Sequence, residues 1–117
     1  MKIFNLTQHP ATPVQIEAGV TGSLTPEQKE GMNFDSIPSQ SELKDRAENL
    51  ARIVGIAGFN AAMIGGAPFF MRPLEVALEA HGIQPLYAFS VRKSVEKEVD
   101  GKVTKVAIFE HQGFVGK

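Results

Sequence analysis

The chain has 117 residues, 43% of them hydrophobic, and a formal net charge of −1. This length and composition indicate one globular domain spanning residues 1–117, and the near-zero net charge argues against a duplex nucleic-acid partner. There is no cysteine, which excludes disulfides and thiolate metal sites and fits a cytoplasmic location. The apolar run at the N-terminus is too short for the hydrophobic region of a signal peptide. No stretch of the sequence is long and apolar enough to span a bilayer, so we expect no membrane partner.

The first third of the chain predicts one strand and two short helices. Residues 2–6, KIFNL, are partly β-branched or aromatic and are bounded by polar residues, as is typical of a strand. The tetrapeptides TPVQ at 12–15 and TPEQ at 25–28 each supply a capping Thr, a Pro for the first helical position and a Gln that closes a capping box. The two helices are expected to end near Gly19 and Gly31.

The clearest helix is predicted between Ser39 and Gly58. Ser39 and Glu42 have the spacing of a capping box. Apolar residues recur at helical spacing and form one stripe, made of Leu43, Ala47, Leu50 and Val54. Charged residues cover much of the remaining surface, which is typical of a helix that packs one face on a core.

The middle of the chain alternates strands and helices. Residues 61–65, AAMIG, predict a short buried strand, and residues 85–90, PLYAFS, predict a third strand. Between them a helix is expected to begin at Pro73 and end at Gly82. Short helical connections between strands imply right-handed crossovers and a parallel sheet, so we expect an α/β fold with helices on the faces of a short parallel sheet.

The C-terminal segment, about residues 92–110, predicts a β-hairpin. Two alternating runs flank Asp100-Gly101, a preferred pair for a two-residue turn. This turn sets a register in which charged and apolar residues pair consistently: Val99 with Lys102, Glu96 with Lys105, and Val95 with Val106. The hairpin is expected to extend one edge of the sheet or to project from it.

The ends of the three predicted strands carry the candidate ligand-binding residues. In a parallel sheet, ligands bind outside the carboxyl ends of the strands. The residues brought to this edge are Thr7, Gln8 and His9 from the first strand, Gly65, Gly66, Ala67 and Pro68 from the second, and Ser90, Arg92, Lys93 and Ser94 from the third. Convergence of these three segments predicts one ligand-binding rim.

The rim residues allow both a structural and a functional interpretation. Gly65 and Gly66 permit either a tight turn or close approach of the backbone to a flat or phosphorylated ligand. Arg92 and Ser94 share one side of an extended segment, and the planar guanidinium suits phosphate, although a solvated hairpin would also contain such residues. His9 is either an exposed loop residue or a catalytic one. No histidines and carboxylates have ligand-like spacing, so we expect no metal and no cofactor.

Several stretches resemble the small CRISPR-associated proteins of the ring-nuclease group. These are HPATPVQ after the first strand, the run GIQPLYAFSVRKSVE, and the DGKV hairpin that closes with FEHQGF. The resemblance implies a Rossmann-like three-layer domain with a C-terminal hairpin. It further implies a cytoplasmic homodimer that binds cyclic tetra-adenylate across its two-fold axis and cleaves it without a metal, which ends an antiviral signal.

The resemblance also implies roles for individual residues. In ring-nuclease chemistry a ribose 2′-hydroxyl attacks the adjacent phosphodiester and leaves a 2′,3′-cyclic phosphate. Arg92 and Ser90 would hold the scissile phosphate, and Ser94 would assist. His9 would transfer a proton or only bind the ligand, and Glu96 would orient Arg92.

Three other functions are compatible with the same residues. The chain could sequester the cyclic nucleotide without cleaving it. It could be an interaction domain whose exposed hairpin adds a strand to a partner. It could also be an enzyme that acts on another phosphorylated metabolite.

Overall fold

Strands and helices alternate through most of the chain in the computed structural model, which describes residues 1–116. The strands are β1 (Ile3–Leu6), β2 (Val20–Ser23), β3 (Ala61–Ile64), β4 (Gln84–Val99) and β5 (Lys102–Gly116). The helices are α1 (Pro13–Glu17), α2 (Pro26–Lys29), α3 (Gln40–Ile56) and α4 (Pro68–Ala80), with a 3-10 turn at Glu30–Met32. No helix within residues 1–116 is long and apolar enough to cross a membrane.

The five strands form one sheet in the order β2-β1-β3-β4-β5. The pairs β1 with β2, β1 with β3, and β3 with β4 are parallel, and β5 is antiparallel to β4. This arrangement confirms the expected α/β fold with a parallel sheet, flanking helices and a C-terminal hairpin. The connection from β1 to β2 runs toward one edge of the sheet, whereas the connections from β2 to β3 and from β3 to β4 run toward the other edge. Because crossovers between parallel strands are right-handed, α1 lies on the face of the sheet opposite α3 and α4.

Successive residues of β1 and β3 pack on opposite faces of the sheet, as strand geometry requires. The larger core cluster joins the sheet to α3 and α4 and includes Phe4, Leu6, Leu50, Ile64, Phe70 and Leu74. The predicted stripe of α3 is buried throughout. The smaller cluster lies on the other face and contains Ile3, Val20, Ala61, Met63 and Leu86.

The strand β2 is absent from the sequence-based expectation. It is only four residues long, VTGS, and Val20 is its single buried residue, so it shows no alternation of apolar side chains. Gly22 is required here because a Cβ atom would lie 2.6 Å from the ring of Phe59 and 2.7 Å from the ring of Phe4. These two rings pack edge to face at a centroid distance of 5.3 Å.

The helix α4 begins five residues before the expected start at Pro73. Pro68 occupies its first turn, and Pro73 lies inside the helix, where it cannot donate a backbone hydrogen bond. Phe70 and Leu74 on either side of this position are 1% and 0% exposed. Their packing holds the helix together across Pro73, because tertiary burial supplies most of the stability of a helix in a protein. At α3, Ser39 caps as expected, but the Glu42 carboxylate pairs with Arg46 at 2.8 Å.

The third strand does not end at Ser90 but continues as β4 to Val99. The chain therefore does not turn back into a helix at this point, which is a correction to the expected rim. The pairing with β3 stops at Tyr87, and beyond it β4 pairs only with β5. We call the part of this hairpin at residues 90–111 the arm.

The turn of the hairpin matches the prediction. Asp100 and Gly101 have φ values of 52° and 75°, as the preferred two-residue turn requires. The predicted cross-strand pairs are confirmed: Val99 with Lys102, Glu96 with Lys105, and Val95 with Val106.

Candidate functional site

A cavity lies at the carboxyl ends of β1 and β3, where the order of the strands reverses. The connection that leaves β1 runs to β2, whereas the connection that leaves β3 runs to β4 on the other side. Diverging connections leave a crevice between the two strand ends, and open α/β sheets bind ligands in such crevices. The cavity has a volume of about 430 Å³.

Residues at or after the carboxyl ends of β1 and β3, together with two residues inside β4, line this cavity. Five of the predicted site residues are among them: Thr7, Gln8, His9, Gly65 and Gly66. The other lining residues were not predicted as site residues; they are Pro10, Thr12, Gln15, Met63, Ile64, Tyr87 and Ala88. The first two predicted segments therefore meet in one site.

The loop after β1 is held by a hydrogen-bond network on a buried residue. Asn5 is 3% exposed, and its side-chain amide donates to the backbone carbonyl of His9 at 2.8 Å. The hydroxyl of Thr7 donates to Oδ1 of Asn5 at 2.6 Å and accepts from the backbone N–H of His9 at 3.3 Å. The wall of the cavity is thus fixed before any ligand binds. In the sequence, the position of Asn5 as a polar residue inside the predicted strand KIFNL could have indicated such a role.

The two glycines contribute to the cavity in different ways. Gly66 has φ +144°, a conformation that residues with a side chain rarely adopt, so the turn itself requires a glycine. A Cβ atom at Gly65 would meet only Cγ2 of Thr7, at 3.7 Å, which is ordinary van der Waals contact. The fold therefore does not require glycine at 65, and its bare backbone leaves room at the wall of the cavity.

A second wall is formed by the start of α1. Thr12 accepts from the backbone N–H of Gln15 at 3.2 Å, and the Gln15 side chain accepts from the N–H of Thr12 at 3.0 Å. This reciprocal cap was predicted from the tetrapeptide. It holds both side chains in place beside the cavity.

Tyr87 lines the cavity from β4 and is anchored from behind. Its hydroxyl donates to Oε2 of Glu75 at 2.6 Å, and Glu75 is 8% exposed. Burial is the largest cause that raises the pKa of Tyr87 to about 12, and the hydrogen bond to Glu75 and the negative charge of Glu75 contribute the rest. Tyr87 is therefore a neutral, fixed side chain at physiological pH.

Two further predicted residues lie just outside the cavity. Ala67 and Pro68 begin α4, and Ala67 caps this helix without a side-chain hydrogen bond. They place the start of α4 directly after the two glycines.

The third predicted group lies on the arm and does not line the cavity. Ser90, Arg92 and Ser94 follow Ala88 along the same side of β4. Arg92 is four residues beyond Ala88, which is about 13 Å at ~3.3 Å per residue.

The side chain of Lys93 points to the opposite side of β4 and pairs with Glu110 at 3.0 Å. Hydrogen bonds from Lys93 and then Gln112 hold the pKa of Glu110 below its usual value. The Arg92 side chain has no ion-pair or hydrogen-bond partner within residues 1–116.

His111 lies at the base of the arm, opposite Ser90. Its ring packs edge to face on Phe114 at a centroid distance of 4.9 Å. Both ring nitrogens are buried, and neither has a hydrogen-bond partner in the described part of the chain. No role was predicted for His111 from its position in the sequence.

Two larger cavities lie elsewhere in the molecule. One of about 680 Å³ lies along α3 and α4 and includes Phe69, Val76 and Ala80 in its walls. Another of about 590 Å³ includes Phe34, Ile37 and Leu43. Neither of these two cavities includes a residue of β1 or β3 in its walls. The cavity between β1 and β3 is the candidate site because polar side chains and bare backbone converge there.

Within residues 1–116 no group of three or more His, Asp or Glu side chains is arranged to hold a metal ion. A family model with the description "Uncharacterized protein MJ1673 family" matches residues 1–115. No curated protein and no solved structure matches the chain.

Proposed function

The chain belongs to the uncharacterized protein MJ1673 family, and we propose that it binds a cyclic oligoadenylate at the cavity between β1 and β3. One nucleotide unit would occupy the cavity, and the rest of the ring would lie along the side of β4 that carries Ser90 and Arg92. This ligand is the signal of the type III CRISPR response, as the resemblance to the ring-nuclease group implies. Binding would withdraw it from signalling.

The cavity at the point of strand reversal is the observation that carries the proposal. Its walls combine the fixed Thr7–His9 loop with the bare backbone at Gly65, so a flat base can approach closely while polar groups bind its edges. Its volume of about 430 Å³ falls within the ~300–1,000 Å³ of small-molecule sites. A ring of four nucleotides is larger than such a cavity, so most of the ring must lie outside it.

The arm supports binding of the phosphates that lie outside the cavity. Ser90 follows Ala88, a cavity residue, by two positions and lies on the same side of β4. Arg92 comes next on that side and has no partner within residues 1–116, so its five N–H donors are available to phosphate. The arm thus supplies the positive charge that the cavity walls lack.

Cleavage of the ring is a second candidate function, favoured by the position of His9. Its imidazole borders the cavity and is exposed, so it can reach a ribose hydroxyl and accept a proton from it. Ser90 and Arg92 would then stabilise the charge on the phosphate while the 2′-oxygen bonds to phosphorus and the P–O5′ bond breaks. The proton held by His9 would pass to the departing 5′-oxygen, which leaves a 5′-hydroxyl and a 2′,3′-cyclic phosphate. Without this proton transfer the protein would only sequester the ring.

One experiment tests both candidates. The protein is incubated with labelled cyclic tetra-adenylate, the bound fraction is separated, and the ligand is identified after denaturation. Intact ring in the bound fraction supports binding alone, and linear product ending in a 2′,3′-cyclic phosphate adds cleavage, which His9→Ala should abolish. Failure to retain or cleave cyclic oligoadenylates of any ring size would overturn the proposal.

A further inference from the structure

The strand β4 has an unpaired edge along the arm. Its pairing with β3 ends at Tyr87, and from Ala88 to Val99 it pairs only with β5 in the described part of the chain. The opposite edge therefore presents a row of backbone N–H and C=O groups to solvent. An exposed edge of this length is a template for another strand.

The side of the hairpin that carries the Lys93–Glu110 pair also has exposed apolar side chains. Phe89, Val91 and Ile108 are 53%, 39% and 42% exposed, and Val99 extends this side toward the tip. A ribbon of two strands has little stability of its own in water. A further strand at the open edge of β4 would add backbone hydrogen bonds and cover part of these side chains.

The charges along β4 are complementary to those of a second copy of the same strand. When two β4 strands pair in antiparallel fashion about an axis at Ser94, Arg92 lies directly opposite the partner's Glu96, and the symmetry repeats this pair. Neither side chain has an ion-pair partner within its own chain over residues 1–116. Opposite charges at directly facing positions stabilise a strand pair.

Neighbouring registers place like charges together. An axis at Lys93 sets this residue opposite the partner's Lys93. An axis at Val95 sets Arg92 opposite the partner's Glu98 but also sets Lys93 opposite the partner's Lys97, so that a favourable and an unfavourable pair offset each other. Like charges directly opposite each other destabilise a strand pair. At the other open edge, that of β5, the Glu110 carboxylate is already bound to Lys93 at 3.0 Å. The charge pattern therefore selects β4 and an axis at Ser94.

We propose that two copies of this chain form a dimer in which their β4 strands pair in antiparallel fashion about Ser94. The two hairpins become one four-stranded ribbon. The partner's Glu96 then orients Arg92, whose five donors allow it to bind a carboxylate with one edge and a phosphate with the other. Glu96 is thus a positioning residue that acts between subunits.

This arrangement determines the distance between the two cavities. Ala88 borders the cavity and lies six residues from Ser94. The two copies of Ala88 therefore lie at the same distance on either side of the axis, which places them about 40 Å apart at ~3.3 Å per residue. Each chain then binds its own ligand, in contrast to the single ring across the two-fold axis that the resemblance implies. The dimer goes beyond the proposed function and does not depend on what the cavity binds.

Charge reversal tests the dimer without any ligand. Sedimentation equilibrium gives the dimer dissociation constant of the wild type, Arg92→Glu, Glu96→Arg and the double variant. Each single change places like charges opposite each other twice, so we expect dissociation constants raised about tenfold or more, with recovery in the double variant. A monomeric wild type, single variants that dimerise like the wild type, or a double variant that does not recover would each overturn the proposal.

A cysteine cross-link locates the axis independently. The chain has no cysteine, so a single introduced thiol can pair only with its copy in the partner. Cβ atoms of directly opposite residues lie about 4.5–5.5 Å apart, close to disulfide geometry, so we expect Ser94→Cys to form a covalent dimer on mild oxidation. Val103→Cys, an exposed position on β5, is the control that should stay monomeric under denaturing conditions. Absence of a cross-link in Ser94→Cys would contradict an axis at Ser94. An equally efficient cross-link in Val103→Cys, or in Val106→Cys, a second control on β5, would contradict it as well.

Discussion

The buried side-chain amide of Asn5 donates a hydrogen bond to the backbone carbonyl of His9, at 2.8 Å. The Asn5 carbonyl oxygen in turn accepts from the Thr7 hydroxyl at 2.6 Å. One residue inside β1 thereby sets the path of the loop that walls the cavity. The shape of the site depends on a side chain that points into the protein.

We expect Asn5→Ala to lower the free energy of unfolding by about 1–3 kcal/mol, because it removes the two hydrogen bonds of the Asn5 side chain, to the Thr7 hydroxyl and to the His9 carbonyl. Urea titration measures this loss. Asn60→Ala is the matched control, since Asn60 is exposed, and it should change stability by less than about 0.5 kcal/mol. Equal effects of the two substitutions would show that the network contributes nothing to the loop.

The two glycines should respond differently to alanine. Gly66→Ala forces a side chain into φ +144° and should cost about 1–3 kcal/mol of stability. Gly65→Ala should leave the urea midpoint unchanged and weaken ligand binding, because its methyl group narrows the cavity. If Gly65→Ala binds labelled cyclic tetra-adenylate with unaltered affinity, the ligand does not lie close to the backbone at Gly65.

The titration of Tyr87 tests the environment behind the cavity. It is the only tyrosine and there is no tryptophan, so tyrosinate absorbance reports this one group. We expect a midpoint near 12, and a lower midpoint in Glu75→Gln that remains above 10.0, because burial is the largest cause of the shift. A wild-type midpoint near 10.0 would mean that the hydroxyl is solvated.

The same shift makes stability depend on pH in the alkaline range. The pKa of Tyr87 is higher in the folded state, about 12, than its ordinary value of 10.0, so folding favours the neutral phenol. This contribution is complete below pH 10 and is lost as the pH rises through about 12. Urea unfolding across that window should show a steeper loss in the wild type than in Tyr87→Phe. Parallel curves would indicate that the phenol carries no such contribution.

Arg92 and Lys93 are neighbours on opposite sides of the arm, which gives a matched pair of variants. Arg92→Ala should weaken binding of the anionic ring by about 1.5–3 kcal/mol, the range for a hydrogen bond to a charged group. Lys93→Ala removes the same charge from the other side and should change affinity little. Fluorescence anisotropy with labelled cyclic tetra-adenylate measures both, with each variant compared at the oligomeric state of the wild type. An unchanged affinity of Arg92→Ala would exclude the arm from the site.

The sequence predicts most of the fold because its signals are local. The apolar stripe of α3 and the Asp100-Gly101 turn each determine a structure within a few neighbouring residues. β2 escapes prediction because its stability comes from pairing with β1, not from its own pattern. The predicted start of α4 was wrong because the burial of Phe70 and Leu74 outweighs the local effect of Pro73 on the helix.

The site is predictable only in part, for a related reason. Thr7 and Gly65 follow short buried strands, and parallel strand ends must meet at one edge. Arg92 was expected there as well, but nothing local in the run from Ser90 onward indicates whether a strand stops or continues into a hairpin. Asn5 and Tyr87 act through partners that only the folded chain brings together.

Amide chemical-shift mapping tests the central claim most directly, namely that the ligand binds between β1 and β3. The chain is small enough, at 12.7 kDa, for its amide resonances to be assigned one by one. On titration with cyclic tetra-adenylate, we expect the largest shifts at Thr7, His9, Gly65 and Gly66, and smaller ones at Ser90 and Arg92. Shifts confined to the α3 and α4 groove, or no shifts at saturating ligand, would contradict the account.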